Sequence, residues 1–260
     1  MSAGQVHPSA IVHPGAKLAP GVAVGAFSII GEQVEVGEGS WIGPHVVIEG
    51  RTRIGRANRI YQFSSIGAPP QDKKYDGEDT AVEIGDRNTL REYVTINRGT
   101  AGDAGVTRVG DDNWIMAYVH FAHDCQIGSN TIFANASALA GHVQVGDWAI
   151  LGGYTTAHQF VRIGAHSFTA MATYLSQDLP PYVMAAGNMA KPYGINSEGL
   201  RRRGFGADVI ARIKRAYRTL YRAGLSLEDA KRELATQAAE CPEVADLHEF
   251  VARSRRGCIR

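Results

Sequence analysis

Five residues of this chain have the types and spacing best suited to chemistry: His120, His123, His142 and His158, with Asp124 directly after His123. An imidazole beside a carboxylate is a general-base arrangement. The anion fixes the tautomer and raises the basicity of a ring whose reference pKa of about 6.5 leaves it largely neutral near pH 7. A lone surface histidine is usually just solvated, so a chemical role requires that these rings be brought together, and that depends on the periodicity of the chain.

The periodicity is six. Aliphatic residues recur at Val12, Leu18, Val24, Ile30, Val36, Ile42, Ile48, Ile54, Ile60 and Ile66, then at Ile84, Leu90 and Ile96. After one further interruption the beat continues from Val109, Ile115, Phe121, Ile127, Phe133, Leu139, Val145 and Leu151 through Ala157, Ile163, Thr169 and Leu175. Glycine often follows the aliphatic, and a small or β-branched residue such as Ser28, Ser64, Thr131 or Ser137 stands four after it. A helix repeats every 3.6 residues and a strand every 2, so neither demands this pattern. A hexapeptide β-helix does: each short strand turns its aliphatic residue into a narrow interior, glycine-containing turns lead to the next face, and stacked coils share one core. A β-sandwich would alternate in short bursts without holding one phase.

With three hexads per coil, Asp124 lies directly beneath His142, because 142 − 124 = 18, and His123 lies one coil plus one residue below it. All four histidines fall outside the core positions of their hexads and are expected to point outward. Ala134, Ala136, Ala138 and Ala140, with Trp114, Met116 and Tyr118, are also outward and largely apolar. Such a strip on a solenoid face predicts packing against another subunit, in a symmetric oligomer with the histidines near the boundary.

The formal net charge of +1 gives no reason to expect nucleic acid as a partner. The beginning MSAGQVHPSA lacks a basic stretch followed by an apolar run, and no eighteen apolar residues occur together, so no integral membrane segment and a cytoplasmic location are expected. Cys125, Cys241 and Cys258 form no metal pattern, and Cys125 occupies a hexad position that takes a small buried residue. Two interruptions map to loops, 69–80, which carries Gln71, Asp72, Lys73 and Lys74, and 101–108, which is glycine-rich. Near residue 177 the beat stops. We place the β-helix at 1–190 and an α-helical C-terminal domain at 191–260, where Ile210, Ile213, Tyr217 and Leu220 share one helix face, Ser226 is an N-cap, and Pro242 opens a last helix. This tail is expected to support the open end of the solenoid.

The segments NRGT at 97–100, HFAHDCQIG at 120–128, LAGHVQVGD at 139–147, HQFVRIGAH at 158–166 and GINSEGLRRRGF at 194–205 resemble the UDP-N-acetylglucosamine O-acyltransferases that begin lipid A synthesis. The likeness spans essentially the whole chain. It implies a left-handed parallel β-helix, a homotrimer, and transfer of a 3-hydroxyacyl chain from acyl carrier protein to the sugar 3-hydroxyl of UDP-N-acetylglucosamine. No cofactor is implied beyond the phosphopantetheine arm that carries the acyl group, and no metal. By matching motifs, His123 is the general base, Asp124 its orienting partner, and the Gly141 N–H the oxyanion donor. Asn196, Glu198, Arg202 and Arg203 match nucleotide contacts, His120 and His158 the diphosphate, His142 and Gln159 the sugar, and Gln71, Asp72 and Lys74 the acyl chain and its 3-hydroxyl. Arg212, Lys214, Arg215, Arg218 and Arg222 make a basic helical face suited to an acidic carrier protein.

Two positions depart from the family's pattern. Asn97 stands where some relatives have His, and Met171 stands where relatives that use longer chains have Gly, at the end stop of the acyl groove. The second implies a donor of about ten to twelve carbons, since each methylene denied burial forfeits about 0.8 kcal/mol. Other readings remain on the same residues: an acceptor with nitrogen at its third carbon, the paralogous N-acyltransferase, which needs an N-terminal uridine-binding domain that hexads beginning by Val12 leave no room for, a zinc carbonic anhydrase on the same coil, and a non-catalytic solenoid.

Overall fold

The computed structural model describes residues 4–102 and 105–260. Residues 103 and 104, inside the second interruption, and the first three of MSAGQVHPSA lie outside the described residues. The hexads form a parallel β-helix of triangular section, whose strands of mostly two residues build three sheets. We call them the first face, beginning with Ile11–Val12, the second, beginning with Lys17–Leu18, and the third, beginning with Ala23–Val24. Each strand pairs with its counterpart one coil on, as Phe121 with Leu139 and Ile127 with Val145, so the stacking register is eighteen residues.

The core follows the aliphatic beat. Ile30, Ile42, Ile60, Ile66, Ile96, Phe121, Phe133 and Leu139 are fully buried, and the hydroxyl or thiol residues four positions on, among them Ser28, Ser64, Cys125 and Ser137, are buried beside them. Burial pushes the Cys125 thiol up to about 12, so it behaves as a core filler. The corners are built differently from the sequence expectation. Their left-handed residues are mostly not glycine: Asp124, His142, Trp148, Phe160 and His166 have φ between 58 and 65°. Side chains seldom adopt this region. At four of these corners the N–H donates to the carbonyl nineteen residues back, as His142 to His123 at 3.0 Å and His166 to Asp147 at 2.9 Å, and at Asp124 it donates to the Thr107 hydroxyl at 2.8 Å, which offsets the strain. The glycines serve coil stacking instead. A Cβ on Gly110 would stand 2.7 Å from the Gly128 carbonyl oxygen, and one on Gly128 2.9 Å from the Asp147 nitrogen.

Both interruptions open at the corner between the first and second faces. The first follows strand Ser65–Ala68 and the second follows strand Thr95–Asn97. At the far end, strand Lys191–Ile195 still pairs, antiparallel, with Val183–Ala186, so sheet structure runs a few residues past 190. Four helices follow: α1 Ser197–Arg202, α2 Ala207–Tyr221, α3 Leu227–Ala238 and α4 Pro242–Ala252. The Ser226 side chain caps α3 by accepting from the Asp229 N–H at 3.1 Å, and Pro242 opens α4. The tail rests on the last coils: the Arg162 guanidinium lies 4.4 Å from the Phe250 ring, and the Ser254 hydroxyl donates to Asp178 at 2.7 Å. No helix among the described residues is long and apolar enough to cross a membrane.

The Phe121 and Phe133 rings meet edge to face at 4.7 Å inside the coil. Phe133→Ala is therefore expected to cost about 3–5 kcal/mol, because a rigid coil closes poorly over a lost ring. Guanidinium unfolding at fixed protein concentration checks this.

Candidate active site

The corner between the first and second faces holds most of the residues singled out in the sequence. His123 and Asp124 turn it in one coil, Gly141 and His142 in the next, and Gln159 and Phe160 in the one after. His123 Nδ1 lies 2.9 Å from Asp124 Oδ2. The carboxylate side chain is completely buried while the His123 ring keeps 15 % exposure. An ionised carboxylate only accepts, so Nδ1–H donates to it and Nε2 is left as the basic atom.

Asp124 is satisfied by Thr100, just before the second loop. The Thr100 N–H reaches its two oxygens at 3.2 and 3.0 Å, and the Thr100 hydroxyl donates to Oδ2 at 2.6 Å. The Asp124 N–H in turn donates to the Thr107 hydroxyl at 2.8 Å. Nitrogen and carboxylate atoms of His123, Asp124 and His142 lie within 4.8 Å of one another, close enough to share a divalent ion. Oδ2 already takes three donors, however, a pattern that a proton-transfer dyad can use.

The His123 ring stands against Gly141. A Cβ there would stand 2.5 Å from Cε1 and 2.7 Å from Nε2, so glycine is the residue that lets base and main chain approach. The Gly141 N–H meets no acceptor among the described residues. His142 packs edge-on to His123 with centroids 5.0 Å apart and stacks on Phe160 at 4.3 Å. His120 stands on the first face with Nδ1 2.7 Å from the Thr95 hydroxyl. Burial, with a smaller contribution from His123, lowers its pKa and favours the neutral ring. His158 opens the same corner two coils above Ala122, its Nδ1 3.2 Å from the Gln159 carbonyl. Gln71 and Lys74 are exposed on the first loop, and Asp72 accepts from the Lys74 N–H at 3.0 Å.

The remaining predicted residues lie elsewhere in the protomer. Asn196 and Arg203 pack at the corner between the second and third faces. The Asn196 amide donates to the His166 carbonyl at 3.0 Å and its oxygen caps α1 by accepting from Gly199 at 3.1 Å. Arg203 sits 5.1 Å from the Trp148 ring and 3.2 Å from His166 Nδ1. Arg201 and Arg202 both pair with exposed Glu198. Met171, 71 % exposed, is at the third corner, between the third and first faces. One protomer therefore does not bring the dyad and the 196–203 segment together. On the basic face of α2, Arg212 is engaged by Glu240 at 2.9 Å and Arg215 approaches Glu233 at 4.0 Å.

Sequence reasoning gave no role to His166, Trp148 or Thr100. His166 is one coil above Trp148, since 166 − 148 = 18, and stacks between Trp148 and Tyr182 with Phe205 edge-on. The eighteen-residue register could have aligned these rings, but nothing local marks them. Thr100 borders the second interruption, where the register lapses.

A coil of hexads whose His–Asp pair faces a glycine backbone, closed by a helical tail, is the build of a hexapeptide-repeat transferase. The repeat model described as bacterial transferase hexapeptide matches residues 107–139, and one described as UDP-N-acetylglucosamine O-acyltransferase, domain 2, matches 178–259. The acyl-[acyl-carrier-protein]–UDP-N-acetylglucosamine O-acyltransferase of Janthinobacterium sp. (strain Marseille) is 59 % identical over 98 % of this chain and 99 % of its own. The UDP-N-acetylglucosamine acyltransferase structure from Francisella novicida superposes with a TM-score of 0.97 at 43 % identity, covering 98 % of this chain and 94 % of that one. That from Moraxella catarrhalis gives 0.95 at 42 %, covering 98 and 99 %. The chain belongs to the acyl-[acyl-carrier-protein]–UDP-N-acetylglucosamine O-acyltransferase family and is an enzyme, a left-handed parallel β-helix with an α-helical C-terminal domain.

Burial, and secondarily Arg203, push the His166 pKa down to about 4. Between about 6.5 and about 4 the unfolded chain binds a proton there that the folded protein refuses, so this group withdraws stability as pH falls through that window. His166→Gln is expected to show a shallower loss than wild type over the same window, read from denaturation midpoints.

Proposed function

We propose that the enzyme transfers a 3-hydroxyacyl chain from acyl carrier protein to the 3-hydroxyl of UDP-N-acetylglucosamine, the first step of lipid A synthesis. The observation that carries this reading is the His123–Asp124 pair with Nε2 set against the Gly141 backbone. A sugar hydroxyl is a poor nucleophile. His123 Nε2 takes its proton as the oxygen attacks the thioester carbon, and Asp124 stabilises the imidazolium that forms. The Gly141 N–H receives the oxyanion, and collapse expels the phosphopantetheine thiolate, which recovers the proton. General-base help of this kind is worth about 10²–10⁴ and one oxyanion donor about 10²–10³. No resident cofactor takes part in this scheme.

The split of the site between two corners favours a homotrimer. The outward residues of the second face, Lys17, Glu35, Arg53, Glu83, Arg108, Gln126, Gln144 and Arg162, suit solvent. The third corner instead carries an exposed ladder, Phe27, His45, Phe63, Tyr93 and Tyr118, stacked at 5.2, 5.2, 5.0 and 4.8 Å. Turning that corner to a threefold axis directs the first face of each protomer toward the third face of the next. The dyad corner of one protomer then borders the same cleft as the corner of the next that bears Asn196, Glu198, Arg202 and Arg203. Guanidinium groups suit the diphosphate, and Asn and Glu suit uracil or ribose edges. Carrier protein docks on the α2 arginines left uncompensated beside the cleft.

Met171 is the end stop of the acyl groove. Its Cε stands 3.8 Å from where a Cβ on Gly153 would be, so the side chain folds over the glycine one coil below. A donor of about ten to twelve carbons follows, each further methylene forfeiting about 0.8 kcal/mol of burial.

Wild-type protein given 3-hydroxyacyl carrier protein and UDP-N-acetylglucosamine should turn over, while His123→Ala and Arg203→Ala should each lose most activity. Mixed and reassembled trimers of the two variants should regain activity, since some clefts draw both intact residues from different chains. Full turnover by His123→Ala removes the base assignment, and the absence of regain removes the shared cleft. Met171→Gly should shift the preferred donor to a longer chain, and an unchanged profile across graded donors would exclude Met171 as the stop.

A further inference from the structure

We infer that the four residues Asn97–Thr100 form a positioning strap that ties the loop assigned to the acyl donor to the catalytic dyad, so that one short segment sets both halves of the acyl-transfer site. This rests on the functional reading above and adds to it residues that reading does not use.

Each residue of the strap has a distinct partner. The Asn97 amide donates to the Pro69 carbonyl at 2.9 Å and approaches the Ala68 carbonyl at 3.4 Å, at the start of the first loop. Because both facing atoms are carbonyl oxygens, the amide orientation is fixed, and its own Oδ1 is left buried without a partner. The Arg98 N–H donates to the Ala68 carbonyl at 3.1 Å. The Arg98 guanidinium reaches the middle of the loop, donating to the Tyr75 hydroxyl at 3.1 Å and to the Gly67 carbonyl at 2.8 Å, and lies 5.6 Å from the Tyr75 ring centroid. The Gly99 N–H holds the far end, donating to the Ala81 carbonyl at 3.2 Å. The loop that carries Gln71, Asp72 and Lys74 is thus gripped at its entrance, its middle and its exit by three consecutive residues.

The fourth residue reaches the dyad. Thr100 directs its N–H and its hydroxyl onto Asp124, the carboxylate that orients His123. Glycine at 99 makes this approach possible, since a Cβ there would stand 2.8 Å from Asp124 Oδ1 and 2.3 Å from the Val106 nitrogen. Only three peptide bonds separate the group that pins the loop entrance from the group that holds the base's carboxylate. One short segment therefore carries both holds, each through its own side chain. Asn97 and Arg98 touch no reacting atom in this scheme. They act by placing the loop, and Thr100 acts by placing Asp124. The role of Asn97 is then that of a clamp, which needs a donor at short reach and no titrating group.

The two ends predict separable signatures. Thr100→Val keeps the N–H but removes the hydroxyl, returning carboxylate charge to His123. The acid limb of the kcat/KM profile should move to higher pH, with kcat down about tenfold, and Thr100→Ser should restore both. Arg98→Met and Asn97→Ala should raise the KM for acyl carrier protein donors about tenfold, with the KM for UDP-N-acetylglucosamine and the acid limb unchanged. Two further measurements need no turnover: the His123 ring titration followed by NMR should shift upward in Thr100→Val alone, and proteolysis within 69–80 should accelerate in Arg98→Met and Asn97→Ala alone. The strap is overturned if Thr100→Val keeps the wild-type titration, or if the loop variants keep wild-type protection. Absence of acyl transfer by the wild-type protein with these structural signatures intact would sink the functional reading and leave the strap standing.

Discussion

The stacking register of the coil is the constraint on which everything else depends. Parallel ladders set neighbouring coils about 4.8 Å apart, and a narrow interior filled by residues such as Ile60, Leu90, Phe121 and Leu139 permits one phase only. Slipping by one residue would turn this aliphatic row outward and place polar neighbours in the core. Because the register is fixed, any residue is placed against those eighteen before and after it. A surface column is therefore as well determined as the core, and a pair such as His123 and Gly141 can be held at ring-to-backbone contact with no dedicated scaffold.

The corners extract function from that rigidity. Several bring a large side chain into the left-handed region, and the inter-coil hydrogen bond that compensates it also directs the side chain along the column. Asp124, His142 and Phe160 make one such column, and Trp148 and His166 another. Strain and chemistry occupy the same positions because both need a backbone that cannot relax. The interruptions follow the same logic. Both are spliced into the corner of His123 and Asp124, where residues 97–100 of the coil tie the first loop down and reach the Asp124 carboxylate.

How much was legible in the sequence varies with the distance over which the physics acts. The solenoid, its core, the reduced thiol role of Cys125, the α3 cap at Ser226 and the α4 start at Pro242 follow from local periodicity or from one turn of chain, and all are present. The vertical pairing of Asp124 with His142 needed only the coil length. The purpose of the glycines was misread, because a glycine demanded by the backbone of the next coil looks in sequence like one demanded by a turn. Thr100 and the tail's docking on Trp148 and His166 were not visible, since Thr100 borders an interruption and the tail lies off the register.

The sequence by itself determined the coil, its phase, the outward placement of the histidines and, through its motifs, the family, because a six-residue repeat translates directly into a stacking geometry. Only the tertiary structure decided that the dyad and the 196–203 segment occupy different corners, and that loop and carboxylate are gripped by one short segment. These are relations between elements whose sequence separation bears no fixed proportion to the repeat. Their positions are set by packing against the finished solenoid, and no local pattern records them.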